Sequence, residues 1–266
     1  MGSLVPGVDD FVRSIVEELR QRNSLRPRLT MVLTTDGGDV ETVRRIVDTF
    51  RYHYTDIGFI IPNYAFSAGT ILALSGDDIY MDYYSRLGPI DPQVENNRGR
   101  WVPALGYLKQ WQLLMEKAAA GKLNTADYQL MISGFDQAEL YEYEQARELS
   151  VTLLTQWLVK YKFKNWAVTQ GRKKPVTPKM KQTRAETIAR ELNNTDRWHS
   201  HGHGISMATL RDDPNLKLLI EDLNDNLERA EIVKQYYGLL EDYMQRRGHA
   251  GVLHAAGRHV PFTVAN

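Results

Sequence analysis

A chain of 266 residues has the length for one large domain or for a core with an appendage, and 33 basic against 33 acidic residues give no net field that would point to nucleic acid or an anionic membrane. The absence of cysteine excludes a disulfide framework, a thiol nucleophile and a cysteine-held zinc. No apolar run approaches the roughly 18 residues of a membrane span and the start lacks a basic-then-apolar leader, so a soluble, cytoplasmic chain is expected. Met1-Gly2-Ser3 is compatible with an expression remnant.

Val8, Phe11, Val12, Ile15, Val16 and Leu19 recur at helical spacing behind Asp9 and Asp10, which favour a helix N-terminus. Leu29 to Thr35 is rich in strand formers, Asp36-Gly37-Gly38-Asp39 reads as a turn, and Val40, Val43, Ile46, Val47 and Phe50 form the next helical stripe. The same unit returns as the apolar run Ile57 to Pro62, a turn containing Ser67, a helix from Ser67 onward and a short strand from Ile79 to Met81. Repeated strand-turn-helix units of this length predict an α/β core around a largely parallel sheet. From about Pro103 the pattern is one of long helices, with Leu149, Leu153, Leu154, Trp157, Leu158 and Tyr161 on one stripe and Leu227, Ala230, Val233, Tyr237 and Leu240 on another. The basic, aromatic-flecked stretch from Lys160 to Pro175 reads as a solvated loop between helices rather than a nucleic-acid surface. A further helix opens at Thr177-Pro178 and ends near Asn193-Asn194. After Arg247 the residues lack any period, and a loosely ordered tail is expected. The organisation expected is a core over residues 1–120, a helical extension over 121–247 and a flexible tail over 248–266.

Two glycine-containing turns at the ends of consecutive strands carry the chemistry. Gly37-Gly38 lets the backbone approach a ligand closely and offers N–H groups, while Ser67-Ala68 supplies a hydroxyl and another N–H at a helix start. Together they outline an acyl-transfer site. Taken singly, Gly37-Gly38 is a tight turn and Ser67 a helix cap.

Three segments carry a resemblance to a known family. They are Thr34-Thr35-Asp36-Gly37-Gly38-Asp39-Val40, then Ala65-Phe66-Ser67-Ala68-Gly69-Thr70, then Leu87-Gly88-Pro89-Ile90-Asp91-Pro92-Gln93. The joint pattern resembles the serine dehydrogenase proteinase family, within the Clp protease and crotonase superfamily and near the signal peptide peptidase-like enzymes. The similarity is strong over residues 28 to 104, and Arg197-Trp198-His199-Ser200-His201-Gly202 resembles a further family block. The resemblance implies a Clp/crotonase-like α/β core with a mostly helical C-terminal half. It implies Ser67 as nucleophile, the N–H groups of Gly38 and Ala68 as oxyanion hole beside Gly37, a peptide or protein substrate, and a trimer-based homo-oligomer.

The base is where this sequence departs from the pattern. Clp-type peptidases carry a histidine where Ile90 and Asp91 stand, and signal peptide peptidases carry a lysine where this chain has Ala104, with Lys109 the nearest lysine. The remaining candidate is His201, in the run His199, His201 and His203, with Asp91 to orient it as the acidic member of a triad. Asp91 between prolines equally suits a turn. His-x-His-x-His also has a metal reading, but no companion Asp, Glu or Cys stands at ligand spacing, and neither metal nor cofactor is expected.

The family pattern also begins with a strand before the first helix, where this chain has only Leu4-Val5-Pro6-Gly7, so the sheet is expected to lack that strand or to be completed by another element. A serine peptidase is the first functional reading. An inactive Clp-like scaffold and a crotonase-type acyl-coenzyme A enzyme are the alternatives. No Gly-x-x-x-x-Gly-Lys phosphate loop is present, so energy-dependent unfolding would require a separate partner.

Overall fold

In the computed structural model, which describes residues 1–22, 25–95, 101–169, 171 and 173–263, the apolar periodicities of the sequence become the faces that meet. Helix α1 (Val8–Arg22) buries Val8, Val12, Ile15 and Val16, and strand β1 (Arg28–Val32) follows. Helix α2 (Val40–His53) starts where the Asp39 carboxylate accepts the N–H and hydroxyl of Thr42 at 2.6 and 2.8 Å. Its Val43, Ile46, Val47 and Phe50 are buried, each contributing about 1.5–3 kcal/mol. Next come β2 (Asp56–Ile60), β3 (Tyr64–Ala65), α3 (Ala68–Leu74), β4 (Asp78–Met81), β5 (Arg86–Leu87), β6 (Gln93–Glu95) and β7 (Trp101–Pro103).

The helical half holds α4 (Ala104–Ala119), α5 (Thr125–Gly134) and α6 (Gln137–Trp157), which runs on into a π-helical turn, Leu158–Lys162. After it stand α7 (Pro178–Leu192), α8 (Thr195–Trp198), β8 (Ile205–Ser206), α9 (Met207–Asp212), β9 (Glu221–Asp222) and α10 (Leu227–Arg247). A hairpin of β10 (Gly251–Ala255) and β11 (Arg258–Phe262) ends the described chain.

The main sheet has the order β1-β2-β4-β9 with every pair parallel, and β2 is buried from Ile57 to Ile60 on both faces, as a central parallel strand requires. Parallel strands deliver their C-terminal ends to one edge. The turns after β1 and β2, which carry Gly37-Gly38 and Ser67, are therefore neighbours. A second small sheet, β3-β5-β8, lies at that edge. One continuous core joins the strands to Val151, Leu154 and Leu158 of the α6 arm and to Ala185, Ile188 and Leu192 of α7.

Three expectations need correction. The tail after Arg247 forms an antiparallel hairpin with Val252 buried; small residues conceal its period, and Gly257 turns it at a φ of 83°. Its last three residues lie outside the described ones, as do Gln170 and Arg172 in the basic stretch. That stretch is not simply a solvated loop, because Lys162 donates to the Asp77 carbonyl at 3.0 Å and the Tyr161 ring lies 3.6 Å from the Arg51 guanidinium carbon. At the start, residues 1–4 lie beside Thr34 to Gly38, with Leu4 in an isolated parallel bridge to Gly38, and take part of the place expected of a first strand. Gly2 N–H donates to Thr34 at 3.1 Å, and Met1 exchanges two 2.8 Å bonds with Val252.

The edge of the sheet away from these turns is closed by a buried ion cluster. Asp77 accepts from Arg51 at 2.8 Å and from the Ile57 amide at 2.7 Å, and its Oδ1 forms an ion pair with Lys164 Nζ at 2.6 Å. Burial pushes the Asp77 carboxyl up, and the bonds from Lys164, the Ile57 amide and Arg51 outweigh it, holding it below the usual carboxylate range. A carboxyl held low in the folded state contributes stability above its unfolded pKa of about 4 and loses it as pH falls through the folded value. Asp77→Ala is expected to lower the unfolding free energy by about 3–5 kcal/mol at pH 7, because it strands the buried Arg51 charge. Urea melts of both proteins check this: the gap should narrow below pH 4, and a loss under about 1 kcal/mol would reduce the cluster to the worth of a surface pair.

Candidate active site

Ser67 occupies a sharp turn between β3 and α3 at φ 53° and ψ −123°, a strained conformation for a residue with a Cβ. It stands at the N-cap position of α3 yet makes no side-chain cap bond, so its hydroxyl is not used for capping. The elbow is held from below by main-chain bonds, Phe66 N–H to Thr35 at 2.9 Å and Gly69 N–H to Phe66 at 2.8 Å. Glycine at 69 is obligatory, since a Cβ there would meet Thr35 Cγ2 at 2.3 Å.

Gly37, at φ 107°, packs so closely on the elbow that an added Cβ would stand 2.7 Å from both Phe66 O and Ser67 Cβ. Its own N–H donates to Thr35 Oγ1 at 3.0 Å. The N–H groups of Gly38 and Ala68 have no protein acceptor among the described residues, and the second is the first N–H of a helix. Gly37→Ala is expected to slow acylation of Ser67 by about 100-fold or more, since displacement of the elbow by a fraction of an ångström removes the reactive geometry. Stopped-flow labelling with an acylating probe measures it, and a rate within threefold of wild type, about 0.65 kcal/mol in barrier, would show that the contact is not needed.

Thr70 couples the serine motif to the Leu-Gly-Pro-Ile-Asp-Pro motif. Its hydroxyl lies 2.7 Å from Ala65 O and 3.0 Å from Gly88 O, and accepts the Gly88 N–H at 2.9 Å. A Cβ on Gly88 would meet the Phe66 ring at 2.8 Å. The spacing of the two motifs therefore reflects one packed joint. Sequence reasoning quoted Thr70 within the motif without seeing this role; a buried hydroxyl one turn after the serine was the available signal.

The second small sheet brings the acid to the histidine. Ala65 pairs with Leu87 in β5, and Leu87 pairs antiparallel with Ile205 in β8. Continuing that register, four residues past Leu87 is Asp91 and four before Ile205 is His201. Asp91 is fully buried, and its Oδ1 lies 3.0 Å from His201 Nδ1. A carboxylate can only accept, so Nδ1 donates in this pair, and in the neutral imidazole Nε2 is then the nitrogen with the lone pair. Asn193 and the end of α7 hold the neighbouring Ile90, whose N–H donates to Leu192 at 3.0 Å.

Of the other two histidines, His199 borders the same surface groove as His201. His199 terminates α8 at φ 60°, and the His203 ring lies 5.3 Å from that of Trp198. Trp198 anchors the loop by donating to Glu191 at 2.8 Å. Among the described residues no group of three or more His, Asp or Glu side chains is arranged to hold a metal ion. Lys109 is half exposed and points its Nζ to Asp196 at 3.4 Å. Tyr64, near Ser67, has its phenol pushed up to about 12 by burial and by Asp36, so it stays neutral at physiological pH. No hydrogen bond joins Ser67 Oγ to His201 among the described residues.

A family model described as ClpP-like SDH-type serine proteinase matches residues 9–169, more than half of the chain. The chain belongs to that family. Two uncharacterized proteins of Methanocaldococcus jannaschii are similar to it, one 38% identical over 66 residues and the other 29% identical over 135 residues. Those matches cover 25% and 50% of this chain, and 23% and 44% of the respective relatives, so the chain spans less than half the length of each. Among solved structures, a mutant of the 1510-N membrane-bound stomatin-specific protease aligns with 86% of this chain and 80% of its own at 13% identity and a TM-score of 0.48. The match to the family model takes in the serine elbow, both glycines of the first turn and Asp91, and stops short of His201. Among the described residues no helix is long and apolar enough to cross a membrane.

Proposed function

We propose that this chain hydrolyses peptide bonds in peptide or protein substrates, with Ser67 as nucleophile, His201 as general base and Asp91 as the residue that orients it. The observation that carries the reading is the Asp91–His201 pair, 3.0 Å apart, at the sheet edge that also presents the unsatisfied serine elbow. In the reaction His201 Nε2 takes the Ser67 proton as Oγ adds to the scissile carbonyl. The oxyanion that forms is held by the N–H groups of Gly38 and Ala68, with Gly37 keeping the two turns in register. Collapse expels the amine, which receives the proton from His201. Water then attacks the acyl-serine with His201 again as base, and Ser67 is regenerated.

His201 is preferred to Lys109 as the base because it is paired to a buried carboxylate, whereas Lys109 is engaged by Asp196 in solvent. The reading includes a trimer-based homo-oligomer and a separate unfoldase or partner protein for folded substrates. The scaffold alternative draws on the absent Ser67–His201 hydrogen bond, although such contacts often close only around substrate. Labelling of the folded protein by a fluorophosphonate probe separates the two: uptake at Ser67 supports the peptidase, and a well-folded chain that stays unlabelled supports the scaffold.

A further inference from the structure

We infer that residues 1–4 form a clamp on the first glycine turn, in which Leu4 is the positioning residue that aims the Gly38 N–H at the carbonyl under attack; this rests on the peptidase reading of Ser67 and His201. Leu4 straddles Gly38 with two main-chain bonds. Its N–H donates to Gly37 O at 2.7 Å and its carbonyl accepts the Asp39 N–H at 2.8 Å, the pattern of a parallel bridge between Leu4 and Gly38. In such a bridge the straddled residue turns its own N–H and C=O to the opposite side.

The peptide bond fixes the same direction independently. No peptide is cis among the described residues, so with Gly37 O held toward Leu4 the Gly38 N–H points away from it. On that far side stands the serine elbow. Thr35 makes its main-chain bonds there, donating to Tyr64 O at 3.1 Å and accepting the Phe66 N–H at 2.9 Å, and Gly37 itself packs against Ser67.

This turn needs an external hold. A peptide between two glycines turns over more easily than any other, because neither end carries a Cβ to bar the rotation, and here Gly37 and Gly38 stand at φ 107° and 146°. Thr35 Oγ1 accepts the Gly37 N–H at 3.0 Å but lies 3.4 Å from Gly37 O, so the short bond from Leu4 is the main restraint on the peptide that carries the Gly38 N–H. Gly38 is glycine on account of this contact, since a Cβ there would stand 2.3 Å from Leu4 O. The clamp is anchored in its turn: the Leu4 side chain is buried in the main core, and Gly2 and Met1 tie the segment to Thr34 on one side and Val252 on the other.

The test removes the Leu4 N–H from the full chain and keeps its side chain. An ester variant, with the α-hydroxy acid analogue of leucine at position 4, has oxygen in place of the donor; Leu4→Pro removes the same donor, and Leu4→Met retains donor and apolar anchor. In the ester variant and Leu4→Pro, kcat on a fluorogenic peptide should fall about tenfold or more with KM within about threefold, because an oxyanion donor acts in the transition state. Affinity for a peptide aldehyde should fall by the same factor: Ser67 Oγ adds to its carbonyl carbon, the serine proton passes to His201, and the aldehyde oxygen becomes the oxyanion. Leu4→Met should recover both. If Leu4→Pro does not fold, the ester variant decides. An unchanged kcat or aldehyde affinity in the folded ester variant, or a fall carried by KM, would overturn the inference. So would a purely structural signature, in which the melting temperature and the fraction of Ser67 titrated by fluorophosphonate drop while kcat per titrated site holds. A wild type that labels and cleaves, matched by the ester variant, refutes the clamp alone. A wild type that neither labels nor cleaves refutes the peptidase reading, and the clamp falls with it.

Discussion

Ser67→Ala is expected to abolish labelling by a fluorophosphonate probe and to reduce peptide hydrolysis by about 10⁶-fold, the scale seen when a serine nucleophile is deleted. The magnitude follows from the loss of the covalent route: without Oγ the oxyanion donors still bind the carbonyl, but nothing adds to it. The variant is a clean one. Ser67 makes no cap bond, so alanine removes no structural hydrogen bond, and both residues bear the same strain at φ 53°. Melting temperature should therefore match wild type within a few degrees while hydrolysis vanishes. Activity within tenfold of wild type in a folded Ser67→Ala protein would remove Ser67 from the mechanism.

Asp91→Asn should lower kcat by about 10⁴-fold with stability unchanged or improved, a combination that separates an orienting acid from a turn former. The amide would present an N–H to His201 Nδ1 and force the imidazole proton onto Nε2, leaving no lone pair to take the serine proton. On the stability side, Asp91 is fully buried and its second oxygen, Oδ2, has no hydrogen-bond partner among the described residues, so a neutral amide removes a desolvation penalty. If Asp91 only shapes the turn between its prolines, the result inverts: folding weakens and the rate stays within a few-fold. Lys109→Ala, measured beside it, should change the rate by no more than about threefold, because its pair with Asp196 is exposed. A collapse of activity in Lys109→Ala with Asp91→Asn nearly intact would move the base to Lys109.

Much of the fold was legible because local rules and tertiary packing agree in the first hundred residues. The stripe Val43, Ile46, Val47, Phe50 is buried as its spacing predicts, and the apolar run Ile57 to Ile60 is the central strand it resembles. The tail and the basic stretch were misread for one reason. Their order comes from distant partners: Val252 meets Met1 at the other end of the chain, and Lys162 and Lys164 meet Asp77 across the sheet. Neither partnership leaves a periodic mark in the segment itself.

By itself the sequence determined the strand-turn-helix units and the presence of a serine and two glycines at strand ends, because these depend on short-range periodicity and on conformations few residues adopt. It also nominated both Asp91 and His201. Only the tertiary structure decided that these two, 110 residues apart, lie 3.0 Å from one another, while Lys109 faces Asp196. The physical reason is that pairing between β5 and β8 is a non-local register. It is set by which strands meet and in which direction, and no spacing within either segment encodes that.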